Sequence, residues 1–132
     1  MLGRWLGLVP MGGEGKGASM RVIIAGSRNI VNYDIVEEAI EKSKFTISEV
    51  VSGAAKGVDT LGEEWAENNK KYCKRFPADW DTYGKSAGII RNVHMADYAD
   101  ALIAVWNGSS RGTQHMIKTA KDRNLKVFVH LI

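Results

Sequence analysis

One cysteine and two prolines in 132 residues remove several options at once. A lone thiol, Cys73, cannot close an internal disulfide and offers no cysteine cluster to a metal. Pro10 and Pro77 are too few for an extended proline-rich linker. No apolar run approaches the roughly 20 residues needed to span a bilayer, so a membrane is not expected. The three histidines, His94, His115 and His130, are scattered without the spacing of a zinc-binding helix. No metal and no cofactor is expected. Charge of one sign is also scarce: the formal net charge is +3. A reducing, cytoplasmic setting is the default that remains.

What is present suits one globular domain with a real core: 45% of residues are hydrophobic and 25% charged. The first nineteen residues read differently, being glycine-rich and without a sustained period. Leu2, Trp5, Leu6, Leu8 and Val9 are apolar, but Arg4 is the one early cation, Pro10 interrupts, and no clear cleavage site follows. Residues 1–19 therefore read as a leader outside the domain, disordered and with Met20 as the effective start. Removing Arg4 and Lys16 from 18 cations, and Glu14 from 15 acids, leaves 16 against 14. A domain so near neutrality is a poor match for nucleic acid, whose backbone is bound by clustered Lys and Arg.

From Met20 onward, short apolar runs alternate with segments of helical period. Arg21–Ala25, Glu49–Val51, Lys71–Phe76, Ala101–Trp106 and Lys126–Leu131 read as strands. Asp34–Lys42, Val58–Asn69, Ala87–Tyr98 and Thr113–Arg123 read as helices. Asp34 and Glu37 resemble a capping box. Ile89, Val93 and Ala96 form the side of the third helix that can face the sheet. This alternation predicts an α/β, Rossmann-like three-layer αβα sandwich over a five-stranded, mainly parallel sheet. With strand order 3-2-1-4-5, ligands belong beyond the carboxyl ends of strands 1 and 4, where the order reverses.

The loops at that edge carry the chemistry. Asn107-Gly-Ser-Ser-Arg-Gly-Thr113 joins the fourth strand to the fourth helix. Helix N-termini present unbonded N–H groups and a positive dipole end to anions. Gly108 and Gly112 permit close approach, Ser109, Ser110 and Thr113 offer hydroxyls, and Arg111 adds a fixed charge. Gly26-Ser27-Arg28 is either an ordinary turn or an anion-holding exit from the first strand. Ser52-Gly53-Ala-Ala-Lys56-Gly-Val-Asp59 has small residues like a phosphate loop, yet fits neither GxGxxG nor GxxxxGK[ST]. Asp59 reads as a helix N-cap, a partner for ribose hydroxyls or a water-orienting carboxylate. Asp79 could meet a hydroxyl, and Trp80 could stack on a base or pack the crevice wall. Lys85 lies in the stretch Gly84–Asn92 that leads into the third helix, where Gly84, Ala87, Gly88, Arg91 and Asn92 recur at helical spacing. Asn is a poor mid-helix choice unless its amide is used, which aims Arg91 and Asn92 at a ligand.

The ordered set of GSR at 26–28, SGAAKGVD at 52–59, ADW ending at Trp80, GKSAGIIRN at 84–92 and GSSRGT at 108–113 resembles the YspA-type, YpsA-related branch of the SLOG superfamily. The likeness runs from about Met20 to the C-terminus. It implies a Rossmann-like fold, a nucleotide-derived ligand, a homodimer or homotetramer, and often a phage-related context. The wider group includes LOG phosphoribohydrolases and the DNA-binding DprA/Smf proteins. LOG enzymes carry PGGxGTxxE at the fourth loop; here Gly112-Thr113 matches, but Met116 stands where the glutamate would be. Methionine cannot stabilise an oxocarbenium-like centre or activate water. A glycosidase or deoxyribosyltransferase would need Asp59 or Asp79 as its carboxylate. The leading expectation is binding or sensing of a nucleotide or ADP-ribose-like molecule. An N-glycosidic hydrolase or transferase is the first alternative, and a single-stranded DNA-binding module the second.

Overall fold

The computed structural model describes residues 19–132; the leader read at 1–19 lies, but for Ser19, outside them. Along the chain run β1 (Met20–Gly26), α1 (Tyr33–Ser43), β2 (Ile47–Ser52), α2 (Val58–Asn68), β3 (Tyr72–Arg75), α3 (Trp80–Tyr83), a 3-10 turn (Gly84–Ser86), α4 (Ala87–Tyr98), β4 (Ala101–Trp106), α5 (Arg111–Asp122) and β5 (Lys126–Leu131). The sheet order is β3-β2-β1-β4-β5, and every pairing is parallel. Val22 pairs with Ala101 and Gly26 with Val105, so β1 and β4 end side by side. Order and fold class are those read from the sequence.

The apolar runs of β1 and β4 are continuous because both faces of the sheet are covered. Val22 and Ile24 of β1, with Ala101, Ile103 and Val105 of β4, join the core beneath α1 and α2. Their alternate neighbours, Ile23, Ala25, Leu102 and Ala104, join a second core with Met95 and Ala96 of α4 and Met116, Ile117 and Ala120 of α5. Burying one such aliphatic side chain contributes about 1.5–3 kcal/mol. The two central strands therefore anchor the loops at their ends.

Several boundaries differ from the sequence reading. The N-cap of α1 is Asn32, whose side chain accepts from Asp34 N at 2.9 Å; the Asp34/Glu37 capping box is not what starts this helix. Gly57, not Asp59, occupies the N-cap of α2. α3 was unmarked by any period, since a four-residue turn is too short to show one; Asp79 caps it. α5 begins two residues early because Ser110 is its cap. Ile89 is 53% exposed, so the side of α4 facing the sheet is that of Ala87, Asn92, Met95 and Ala96 rather than the Ile89 side. The helical stripe was rotated by about one position.

Candidate functional site

The β1 exit is stitched to both of its neighbours. Ser27 is buried; its N–H donates to Val105 O at 3.1 Å and its carbonyl accepts from Val58 N at 3.3 Å. Its Oγ accepts from Asn107 N at 3.3 Å. A Cβ on Gly26 would run into the Val105 carbonyl, and lie 2.7 Å from Val58 Cγ2. Gly57, at φ +78, sits against the Ser27 and Arg28 carbonyls, a position only glycine fills without strain. The loops after β1, β2 and β4 thus share one edge, and Ser27 is a strut between them.

The β2 loop presents Asp59 and receives Arg91. Asp59 is 6% exposed, and Oδ2 accepts from Ala55 N at 3.2 Å. Arg91 Nη1 donates to the Gly53 carbonyl. A Cβ on Gly53 would lie 2.7 Å from both Arg91 Nη1 and Asp59 Oδ2, so glycine lets the two charged ends flank the backbone. Burial pushes the Asp59 carboxyl up to about 6, against the Ala55 hydrogen bond and the Arg91 charge, which pull it down. Burial likewise draws Arg91 down, Asp59 raises it, and the nearby positive Arg28 lowers it further. Ser52 is engaged within the protein: its Oγ donates to Glu63 at 2.6 Å and accepts from Ala54 N at 3.0 Å.

At the β4 loop, Asn107 Oδ1 accepts from Ser109 N at 2.9 Å and Ser110 N at 3.0 Å. This Asx-type turn lets Gly108 take φ +86. Ser110 Oγ accepts from Thr113 N and lies 3.1 Å from Thr113 Oγ1, and Thr113 is buried. The loop's hydroxyls therefore shape the turn. Among the described residues, the N–H groups of Arg111 and Gly112 donate to nothing, and space above Gly112 is open to 4 Å. Asn92 of α4 reaches this turn, Nδ2 donating to Gly112 O at 3.4 Å.

Of the residues singled out by sequence, Gly26, Ser27, Arg28, Gly53, Asp59, Arg91, Asn92 and the first turn of α5 converge on the carboxyl edge. Lys56 stands exposed on the β2 loop, and Lys85 on the 3-10 turn. None of Arg28, Lys56, Lys85, Arg91 and Arg111 forms an ion pair among the described residues. Asp79 is used as the α3 cap, accepting from Thr82 N at 3.1 Å. Trp80 is 58% exposed; its Cη2 and Arg91 Nη2 each lie 3.7 Å from a Cβ on Gly88, so it stands beside Arg91. Met116 is 1% exposed within the α4/α5 core, so the position of the LOG glutamate is a packing position here. Sequence reasoning missed Glu63, which holds Ser52 and Arg75, although its place four residues after Asp59 put it on the same helix face. No cluster able to hold a metal occurs among the described residues, and no helix there is long and apolar enough to cross a membrane.

The chain is 32% identical over 117 residues to the gene 61 protein of Mycobacterium phage D29, covering 81% of this chain and 93% of the relative. Its fold is similar to that of DNA processing protein A (DprA) from Streptococcus pneumoniae, at TM-score 0.65 and 20% identity. That match covers 83% of this chain, which spans only 49% of the DprA chain. Residues 20–83 match the model of the YspA, cpYpsA-related SLOG family. With the parallel sheet in the order β3-β2-β1-β4-β5, these likenesses lead to one assignment: the chain belongs to the YspA, cpYpsA-related SLOG family.

Proposed function

We propose that the crevice at the carboxyl edge binds a nucleotide or nucleotide-derived, ADP-ribose-like ligand. Family membership supports a nucleotide-related ligand. The observation that carries the reading is local: Arg111 opens a helix whose first two N–H groups donate to nothing among the described residues, Asn92 links Arg91 to that turn, Arg28 is close enough to act on the Arg91 charge, and none of the three arginines is ion-paired there. Guanidinium groups and helix-terminal N–H groups are both matched to phosphate oxygens. In this reading a phosphate sits over Arg111 and Gly112, Arg91 and Arg28 offset its charge, and Trp80 offers a face to the base. Titration calorimetry with mono- and dinucleotides and ADP-ribose tests it. Saturable binding that weakens in Arg28→Ala and Thr113→Ala is expected. No heat and no rise in melting temperature with any member of the panel would reject it.

A second reading rests on Asp59. A carboxyl raised to about 6 in a ligand crevice has the protonation range of a general acid. As the acid it would protonate the departing base as the N-glycosidic bond breaks, while water attacks the anomeric carbon and releases its extra proton to solvent, giving free base and a ribose phosphate. Chromatography of nucleotides incubated with the protein would show the base, and Asp59→Asn would stop its release. Turnover surviving that substitution would remove Asp59 from the chemistry.

A further inference from the structure

Asn92 sits in the middle of α4, 7% exposed, where asparagine is a weak helix former. Its amide is used at both ends. Arg91 Nε donates to Oδ1 at 3.1 Å. Arginine Nε is a permanent donor, so only the oxygen can face it, and the orientation of the amide is fixed. Nδ2 then points to Gly112 O at 3.4 Å and to His115 Nδ1 at 3.2 Å. Since Nδ2 can only donate, His115 Nδ1 accepts, and the ring is neutral with its proton on Nε2. Burial, then the charge of Lys118, lowers the His115 pKa, which favours that same neutral form. Oδ1 and both amide hydrogens are thereby engaged inside the protein.

Arg91 is held in consequence. Nε is fixed by Asn92 and Nη1 by the Gly53 carbonyl, while Nη2 lies beside Gly88 and Trp80. One amide also ties this guanidinium to the first turn of α5 through Gly112. We infer that Asn92 is a positioning residue that touches no ligand: it fixes the Arg91 guanidinium and sets its distance from the free N–H groups of α5. The value of this arrangement for binding rests on the phosphate reading above. A guanidinium ordered beforehand loses less freedom when a ligand arrives.

The test uses the full chain, with Asn92→Ala, which removes both ends of the amide, and Asn92→Asp, which keeps an acceptor for Arg91 Nε. The first arm needs no ligand: nitrogen-15 relaxation of the Arg91 Nε–H group. It is expected to be ordered in wild type and Asn92→Asp, and mobile in Asn92→Ala. The second arm titrates ADP-ribose, with affinity reduced about tenfold or more in Asn92→Ala and reduced less in Asn92→Asp, which keeps the partner of Arg91 Nε but loses the donor to Gly112 O. Should Asn92→Ala fail to fold by circular dichroism, Asn92→Ser, too short to reach Arg91 Nε, takes its place in both arms. An Arg91 Nε–H equally ordered in the truncated variant overturns the inference. So does an Asn92→Ala affinity equal to that of wild type, because neither the held guanidinium nor its tie to α5 would then matter for binding. If wild type does not bind ADP-ribose, the binding reading is weakened, and the ligand-free arm alone decides the role of Asn92.

Discussion

Replacing Asp59 with asparagine should change how stability depends on pH. The carboxyl moves from an ordinary 3.8 to about 6 on folding because it is buried. For a group whose pKa rises on folding, the stabilising contribution is full below the unfolded value and disappears as pH climbs through the folded one. Each unit is worth about 1.4 kcal/mol, so about 3 kcal/mol is lost in all. About 2 kcal/mol of that falls between pH 4.5 and 7.5. The neutral amide of the Asp59→Asn variant makes no such contribution. Other titrating groups act on wild type and variant alike, so the difference between the two isolates Asp59. Urea unfolding across this range is the assay. At a slope of about 2 kcal/mol per molar, the wild-type midpoint should fall by about 1 M relative to Asp59→Asn as pH rises. A constant gap between the midpoints would refute the burial argument and remove the ground for an acid at this position.

Three further outcomes follow from the packing. Gly26→Ala drives a methyl into the Val105 carbonyl and to 2.7 Å from Val58 Cγ2; overpacking of about 1–3 kcal/mol should lower the melting temperature by at least about 4 °C, and an unchanged value would contradict the close approach. Gly112→Ala meets nothing within 4 Å, so stability should hold or rise by up to about 1 kcal/mol while calorimetry shows weaker nucleotide binding. Unaltered affinity would mean that phosphate does not approach the α5 turn. An NMR titration should place the His115 pKa below its ordinary 6.5, because its ring is partly buried near Lys118; a raised value would contradict the neutral ring that Asn92 requires.

Much of this architecture is legible without coordinates. Apolar runs such as Val22–Ala25 and Ala101–Val105 alternate with helical periods, and the doubly covered parallel sheet follows from that alternation. The gathering of Gly26–Arg28 with Asn107–Thr113 follows in turn from the strand order. What stays hidden depends on contacts between segments distant in sequence. Ser27, Ser52 and Thr113 read as candidate ligand hydroxyls, and nothing in the sequence shows that they also bond Asn107, Glu63 and Ser110. Asp59 read most simply as an N-cap, because Asp near a helix start is most often one. It is buried beside Arg91 and Gly53, and neither lies on its helix. Ile89 misled because alternate stripes of α4 are similarly apolar, and only packing against β1 and α5 selects the Met95 side.

Phosphate binding where β1 and β4 end is decided by a crystal structure with a bound nucleotide. Phosphorus density is expected within hydrogen-bonding reach of the Arg111 and Gly112 N–H groups and of Arg91, with the base toward Trp80. A nucleotide found instead in the groove between Trp106, Ile117 and Lys121, with the carboxyl edge empty, would contradict it.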